Sequence, residues 1–322
     1  VTVSSEDPVV VTGAAGFLGR RVVREIAAMG RPVRAIVRRP EQRAIVDLAN
    51  VHVFEADVTD SNALAAAMSG ASQVVHCAAI LRERGSATYE AVNVQGTQKV
   101  FQAAVDAGIQ RGVLVSVVGA DQTSSARYFN SRGKSEAAAL TSGINLSIAR
   151  LSALFGEGDE FANALAALVK LGPLVPVIGS GKTRFQPLSA DDAAYAIARL
   201  AHSPGHDGEI LELGGPDVMD YRQILDLIAA TMGRRTIKVG LPLLIMRPVV
   251  RIMELLTPNP PATSEQLKML DTDNVPAGPS FTDLFDRPPR PMRGNIDYVN
   301  RVSVAAALRI MIGRMPRHIR DH

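Results

Sequence analysis

One stretch near the start constrains the fold more than any other: Val9-Val10-Val11-Thr12-Gly13-Ala14-Ala15-Gly16-Phe17-Leu18-Gly19-Arg20. A short β-branched run leads into glycines spaced three apart, and a pattern of apolar residues at helical spacing opens behind them. The order reads as strand, turn, helix. Gly13 permits a tight turn, Gly16 lets bare backbone approach a ligand, and Gly19 lets the helix pack close to the strand. The helix start then offers unpaired N–H groups and the positive end of its dipole, which suits a phosphate or pyrophosphate.

The chain behind this loop alternates strand and helix. Strands are expected at Val9–Thr12, Pro32–Val37, Val51–Glu55, Gln73–His76, Gly112–Ser116 and Leu146–Ala149. Helices are expected at Phe17–Met29, Ser61–Met68, Tyr89–Ala107 and Arg127–Thr141. Strict alternation implies right-handed crossovers and a parallel, doubly wound sheet. After Arg150 the rhythm changes, with helices expected at Glu160–Leu171, Asp191–Ala201 and Tyr221–Met232 and a further strand at Glu209–Leu213. The Pro- and Arg-rich run Pro258–Pro291 reads as loop. The expected fold class is therefore α/β, with a nucleotide-binding core over residues 1–150, rejoined by roughly residues 180–215, and a smaller, interleaved C-terminal α/β lobe within residues 151–322.

Composition excludes several classes. Hydrophobic residues make up 47% and charged residues 21%, enough apolar material for a large core and too little charge for wholesale disorder. Net charge is +3, and the excess lies after residue 240, where Lys and Arg outnumber Asp and Glu by 11 to 8. No basic stripe interleaved with aromatics is present, so nucleic acid is not an expected partner. A single cysteine, Cys77, rules out an internal disulfide framework and suits a reducing compartment. The polar, acidic start Val1–Pro8 does not read as a signal peptide. Pro242, Arg247, Pro248, Arg251 and Glu254 interrupt the longest apolar stretch, Leu241–Leu256, so no transmembrane helix is expected. The expectation is a cytoplasmic protein, with peripheral attachment at the inner membrane left open, and no metal site.

Thr12-Gly13-x-x-Gly16-x-x-Gly19 resembles the loop of extended short-chain dehydrogenases/reductases, the NAD-dependent epimerase/dehydratase-like group. Ala56-Asp57-Val58 is similar to that family's adenine-contacting acidic motif. His76-Cys77-Ala78-Ala79 sits where the fourth strand brings backbone near the cofactor ribose. Val92-Asn93-Val94-Gln95-Gly96-Thr97 resembles the family's Asn-Val-x-Gly-Thr run. The resemblance implies a Rossmann fold and a nicotinamide dinucleotide held by Thr12, Gly13, Ala15, Gly16, Phe17, Leu18, Gly19, Asp57, Val58, Cys77, Ala78, Ala79 and Asn93. Asp57 equally suits a turn or helix cap, and Cys77 a small buried apolar residue. The second strand ends in Arg38-Arg39-Pro40 with no carboxylate at its tip. An acid there would accept from a ribose 2′-hydroxyl; two guanidinium groups would grip a 2′-phosphate. NADP(H) is therefore expected ahead of NAD(H), with solvated surface arginines as the alternative.

The family's chemistry uses a tyrosine, a lysine four residues on and a serine or threonine. Here Tyr128 stands at the start of the helix after the fifth strand, but the position four on is Arg132. Lys134, six residues on, faces elsewhere on the helix. Arginine supplies charge and ribose contacts but does not enter a proton relay. The strand before it ends Ser116-Val117-Val118-Gly119, so Ser116 remains while the site two further on is valine. The candidate catalytic set is thus Tyr128, Arg132 and Ser116, with Tyr128 and Arg132 also at the cofactor. Tyr128 fits two roles equally: a proton donor, or a tyrosine packed on the cofactor pocket.

This departure is similar to atypical extended members, above all the NAD(P)H-binding accessory subunit of respiratory complex I and its bacterial relatives. Phe155-Gly156-Glu157-Gly158-Asp159-Glu160-Phe161, Gly172-Pro173-Leu174, Gln186-Pro187 with Asp192, and Leu241-Pro242-Leu243 also resemble that group. The resemblance implies a structural nucleotide and a partner in a membrane-associated complex. The alternative is an active NADP(H)-dependent oxidoreductase or epimerase acting on a small carbonyl or nucleotide-sugar substrate. A basic terminal helix, Arg301 to Arg314 and on to Arg317 and Arg320, suits ordinary docking more simply than a membrane surface. Oligomeric state and substrate are not legible.

Overall fold

Val9–Thr12 (β1) is buried along its whole length, as a four-residue strand with a parallel neighbour on each edge must be. Six more strands extend the sheet around it: Val33–Val37 (β2), Val51–Glu55 (β3), Gln73–His76 (β4), Arg111–Val117 (β5), Asn145–Leu151 (β6) and Ile210–Leu213. The order is Ile210–Leu213, β6, β5, β4, β1, β2, β3, with every pairing parallel. The chain leaves β1 toward β2 and β3 on one side, then returns to β4 on the other. Adjacent strands whose connections diverge leave a crevice beyond their carboxyl ends, where ligands of such sheets bind. This is a Rossmann-like α/β fold.

The structure, a computed structural model, describes residues 7–256 and 263–320. It divides into two compact units: Val1–Leu151 with Ala190–Leu213, and Ser152–Ser189 with Gly214–His322. The expectations for residues 1–6, for residues 257–262 of the proline-rich run and for the side chains of Arg317 and Arg320 lie outside the described residues.

In the first unit, helices Gly19–Ala28 (α1), Ser61–Met68 (α2), Gly96–Asp106 (α3) and Arg127–Leu140 (α4) flank the sheet. The Asp60 carboxylate opens α2 by accepting from the N–H groups of Asn62 and Ala63. Val10, Ile36, Leu64, Met68, Val74, Phe101, Leu114 and Ile148 form one buried cluster between sheet and helices. The single helix expected from Tyr89 to Ala107 is instead two pieces: Tyr89–Gln95 is π-helical, and α3 begins at Gly96. Periodicity cannot separate these, because one wider turn barely disturbs an apolar stripe; such turns recur at functional sites.

In the second unit, helices Phe161–Leu171 and Tyr221–Thr231 pack through Leu165, Val169, Ile224 and Ile228, and strand Leu174–Ile178 pairs in parallel with Ile237–Leu241. The terminal helix Val304–Met311 docks through Ala306 and Ala307 into this same core. The proline-rich run is less irregular than its composition suggests. It contains short helices Ser264–Met269 and Phe281–Phe285, opened by the hydroxyl caps of Thr263 and Ser280. The stretch Leu243–Leu256 is a helix despite Pro248 inside it. No helix among the described residues is long and apolar enough to cross a membrane.

Gly133 sets how closely α4 approaches the loop after β5. A Cβ there would lie 2.4 Å from the Gln122 backbone nitrogen and 2.5 Å from the Asp121 carbonyl carbon. Both are backbone atoms and yield little. Gly133→Ala is expected to destabilise the protein by about 2 kcal/mol, the usual size of an overpacking penalty, read as a lowered urea midpoint with an unchanged slope.

Candidate dinucleotide site

The turn after β1 is built by three close backbone approaches. Gly13 sits at φ +64°, and a Cβ on it would lie 2.8 Å from both the Cα and the N of Ala78 at the end of β4. The Gly16 N–H donates to the Gly13 carbonyl at 2.9 Å. A Cβ on Gly19 would fall 2.1 Å from that same carbonyl oxygen. Gly13 and Gly19 therefore tolerate no side chain, and the start of α1 is pulled directly over the strand tip. Helix α1 opens with no side-chain cap and no acid in its first turn. Its positive end is thus left for an anion. Arg21 steadies the loop from behind: it donates to the Phe17 carbonyl at 2.7 Å, pairs with Asp191 at 3.0 Å and lies over the Phe17 ring. Gly13, Ala15, Gly16, Phe17, Leu18 and Gly19 thus make up one turn and the start of α1.

Beneath the loop lies a buried polar chain that sequence reading did not find. β1 and β4 are in register at Thr12 and His76. Thr12 Oγ1 and His76 Nδ1 are 2.7 Å apart, and His76 Nε2 and Thr97 Oγ1 are 3.0 Å apart. The Thr97 and Ser135 hydroxyls both donate to the Asn93 carbonyl at 2.5 Å. The Asn93 amide donates to Ile80 O at 3.1 Å and Ser131 Oγ at 3.1 Å, while its oxygen accepts from Ile80 N at 2.8 Å. The strand tip, the loop after β4 and the π-helical turn are therefore tied together. Asn93 acts here as a clamp on backbone rather than as an open ligand group. Burial, reinforced by the Arg132 charge, pushes His76 down to about 3, so the imidazole is neutral. Burial pushes the half-buried Cys77 thiol up to about 12, which fits a neutral apolar residue and no reactive one. Ala78 is half-buried and Ala79 exposed at the same edge.

On the other side of β1, Arg38 and Arg39 are exposed at the tip of β2. The Gln42 side-chain oxygen accepts from both their backbone N–H groups, at 3.1 and 3.0 Å, and so fixes the turn that carries them. Arg39 has a loose ion pair with Glu41 at 3.6 Å. Asp57 Oδ1 accepts from the Thr59 N–H and hydroxyl at 2.9 and 2.7 Å, the local turn its sequence context suggests. Val58, buried beside it, is where a Cβ on Gly96 would make contact at 2.8 Å. Gly96 thus lets α3 begin close against the Asp57-Val58 segment.

The three candidate catalytic residues are distributed unevenly. Tyr128 is buried at the start of α4, its ring 5.9 Å from that of Tyr89. Burial pushes its phenol above the ordinary range, with the Arg132 charge opposing. Arg132 is only 2% exposed. One of its nitrogens donates to the Val115 carbonyl, while Nε and Nη1 are buried with no partner. Ser116 is already engaged: its hydroxyl donates to Glu136 at 2.5 Å. Glu136 is held in turn by Arg150 at 3.0 and 2.7 Å, and Arg150 reaches Glu212 at 3.2 Å. Ser116 is thus part of a buried ion network joining β5, α4 and β6. Among the described residues no cluster of His, Cys, Asp or Glu is placed to hold a metal.

A nicotinamide dinucleotide fits these residues. The side-chain-free cradle at Gly13 and Gly19 suits a pyrophosphate, and the orphaned Arg132 nitrogens lack only acceptor oxygens of the kind a ribose carries. A family model described as NAD(P)H-binding matches residues 13–164. This segment is an NAD(P)H-binding domain. Over 225 residues, 68% of its length, the chain is 31% identical to the mitochondrial NADH dehydrogenase (ubiquinone) 1 alpha subcomplex subunit 9 of Arabidopsis thaliana. Over 196 residues, 61% of this chain, it is 31% identical to the ceramide reductase of Caulobacter vibrioides. The chain spans 56% of the first relative's length and 61% of the second's. A solved short-chain dehydrogenase/reductase superfamily protein of Agrobacterium tumefaciens, with bound NAD, shares the fold. Its TM-score is 0.61 at 22% identity, over 73% of this chain and 86% of that one.

The buried imidazole makes the NAD(P)H-binding domain sensitive to acid. An unfolded histidine takes a proton near pH 6.5, whereas folded His76 resists to about 3. Between those values the unfolded chain binds the extra proton. The contribution is therefore complete above pH 6.5 and is lost as pH falls, at a slope of about 1.4 kcal/mol per unit. Asp159, raised by burial to about 6, works with the opposite sign. The test is thus a difference: urea unfolding of the wild type should lose stability on acidification more steeply than His76→Gln. Equal slopes would contradict a neutral, buried imidazole.

Proposed function

We propose that this protein binds NADP(H) and holds it mainly as a structural or redox-sensing element, in an accessory or assembly role linked to respiratory complex I. The observation that carries this is the contrast between the two halves of the site. The half that would cradle the dinucleotide keeps its glycine approaches and an uncapped helix start. The proton-transfer half is rebuilt: Ser116 is engaged by Glu136, Arg132 stands four residues after Tyr128, and burial raises the Tyr128 phenol. A guanidinium holds its charge and cannot relay a proton. The relative from Arabidopsis thaliana, by name a subunit of an NADH dehydrogenase, supports the accessory role.

Gly13, Ala15, Gly16, Phe17, Leu18 and Gly19 would hold the pyrophosphate by backbone. Thr12, with Ala78 against Gly13, would keep the strand tip in register beneath it, and Cys77 and Ala79 would line the same edge. Asp57 and Val58 would face the adenine, Arg38 and Arg39 the 2′-phosphate. Arg132, with Nε and Nη1 free, would hold the nicotinamide ribose beside Tyr128 and Asn93. When bound, the nicotinamide supplies hydride transfer.

A second role, as a reductase or epimerase on a small carbonyl or nucleotide-sugar substrate, is favoured by the retained Tyr128 beside Arg132. The relative named ceramide reductase also favours it.

Calorimetry separates the claims. Arg38→Ala/Arg39→Ala should weaken NADPH by about tenfold or more, the size expected from losing charge-assisted phosphate contacts, and leave NADH nearly unchanged. Equal loss for both nucleotides would remove the 2′-phosphate assignment. Bound NADPH should not be consumed over many hours with small aldehydes or ketones. Turnover that rises in Arg132→Lys and disappears in Tyr128→Phe would establish the enzyme reading instead.

A further inference from the structure

The helix Leu243–Leu256 carries its apolar residues on the wrong side for a helix of a self-contained unit. Val250 is fully buried, and Leu243 and Met246 are half-buried beside it. Its outer face is nevertheless apolar. Leu244 is 82% exposed, Ile245 59%, Ile252 55% and Val249 41%. Leu244, Pro248 and Ile252 stand four residues apart, as do Ile245 and Val249, so they form one continuous outward strip. A strip of large aliphatic groups in water marks a surface that something covers.

Charge decides what covers it. Arg247 and Arg251, again four apart, run along one flank of the strip, and both are exposed. Arg247 reaches Asp271 only at 3.9 Å, and Arg251 has no acidic partner among the described residues. The helix's own acid, Glu254, is turned toward Ser264, accepting from its N–H at 2.7 Å and its hydroxyl at 2.6 Å. The outward surface is thus aliphatic and cationic. A second copy seated face to face and antiparallel would set these arginines against their own mates. An anionic bilayer surface would take the aliphatic groups below its headgroups and pair the arginines with lipid phosphates.

We propose that the outer face of Leu243–Leu256 docks this protein on anionic membrane surfaces, with Leu244, Ile245, Val249 and Ile252 entering the interface and Arg247 and Arg251 holding lipid phosphate. The biological setting rests on the accessory role proposed above, but the docking itself needs no nucleotide. Its failure is therefore distinguishable from failure of NADPH binding, which the same preparations report by calorimetry.

The test is co-flotation with vesicles of phosphatidylcholine, with or without phosphatidylglycerol. The wild type should float with the anionic vesicles and much less with the neutral ones. Arg247→Gln and Arg251→Gln should each weaken anionic binding about fivefold, corresponding to about 1 kcal/mol for each cation at a charged surface. Leu244→Ser/Ile252→Ser should lose binding to both vesicle types, with its melting temperature and NADPH affinity unchanged because these side chains are exposed. Wild type that floats with neither vesicle, or variants that float as well as wild type, would overturn the proposal. So would a wild-type dimer that Leu244→Ser/Ile252→Ser converts to monomer, since the strip would then be covered by a second copy.

Discussion

The structure depends on how closely the backbone of the first helix approaches the tip of the first strand. The Gly13 carbonyl lies where a Cβ on Gly19 would be, and Ala78 lies where a Cβ on Gly13 would be. No side chain can be accommodated at either contact, so the turn, the helix start and the end of β4 are one rigid object. That object aims uncapped N–H groups at the point where the strand order reverses. A sheet with this topology collects ligands there, and the absence of a cap leaves the helix end without a competing internal anion.

The polar chain below the turn extends that rigidity into the rest of the core. Thr12, His76, Thr97, Asn93 and Ser135 form a path of hydrogen bonds from the strand tip to the π-helical turn and α4. Each is fully buried, where an unpaired polar group costs more than a pair gains. The chain therefore holds together as a unit. Arg132 is the exception in the same region: it is nearly fully buried, yet two of its nitrogens lack partners. A group in that condition either stores strain or awaits an acceptor, such as the ribose proposed above. The neighbouring Ser116–Glu136–Arg150–Glu212 network has every charge paired and serves the joint between strands.

Much of the core was legible in the sequence because its signals are local. β1, β3, β4 and α2 fall on the residues expected from the alternation of strand and helix signals. The glycine loop was legible for the same reason, since its spacing, context and steric demand are all contained in a few residues. The π-helical turn was not, because a single widened turn leaves apolar spacing nearly intact. The short helices at Ser264–Met269 and Phe281–Phe285 were hidden by surrounding prolines, although Thr263 and Ser280 are ordinary hydroxyl caps. The Thr12–His76–Thr97 chain and the capture of Ser116 by Glu136 join residues 64, 21 and 20 positions apart. Only strand order and register bring such residues together, and no spacing rule within one segment announces them. Gln42, which orients the Arg38-Arg39 turn through one side-chain oxygen, went unread for the converse reason: its signal is local but generic.

The central claim is that the rigid turn at Gly13, Gly16 and Gly19 and the arginines at the tip of β2 together select a phosphorylated dinucleotide. Native mass spectrometry of the protein as purified tests it most directly. The account predicts a species heavier by one NADP(H) per chain, restored by adding NADPH after the nucleotide is stripped. A chain that emerges bare and takes up neither NADPH nor NADH would contradict it.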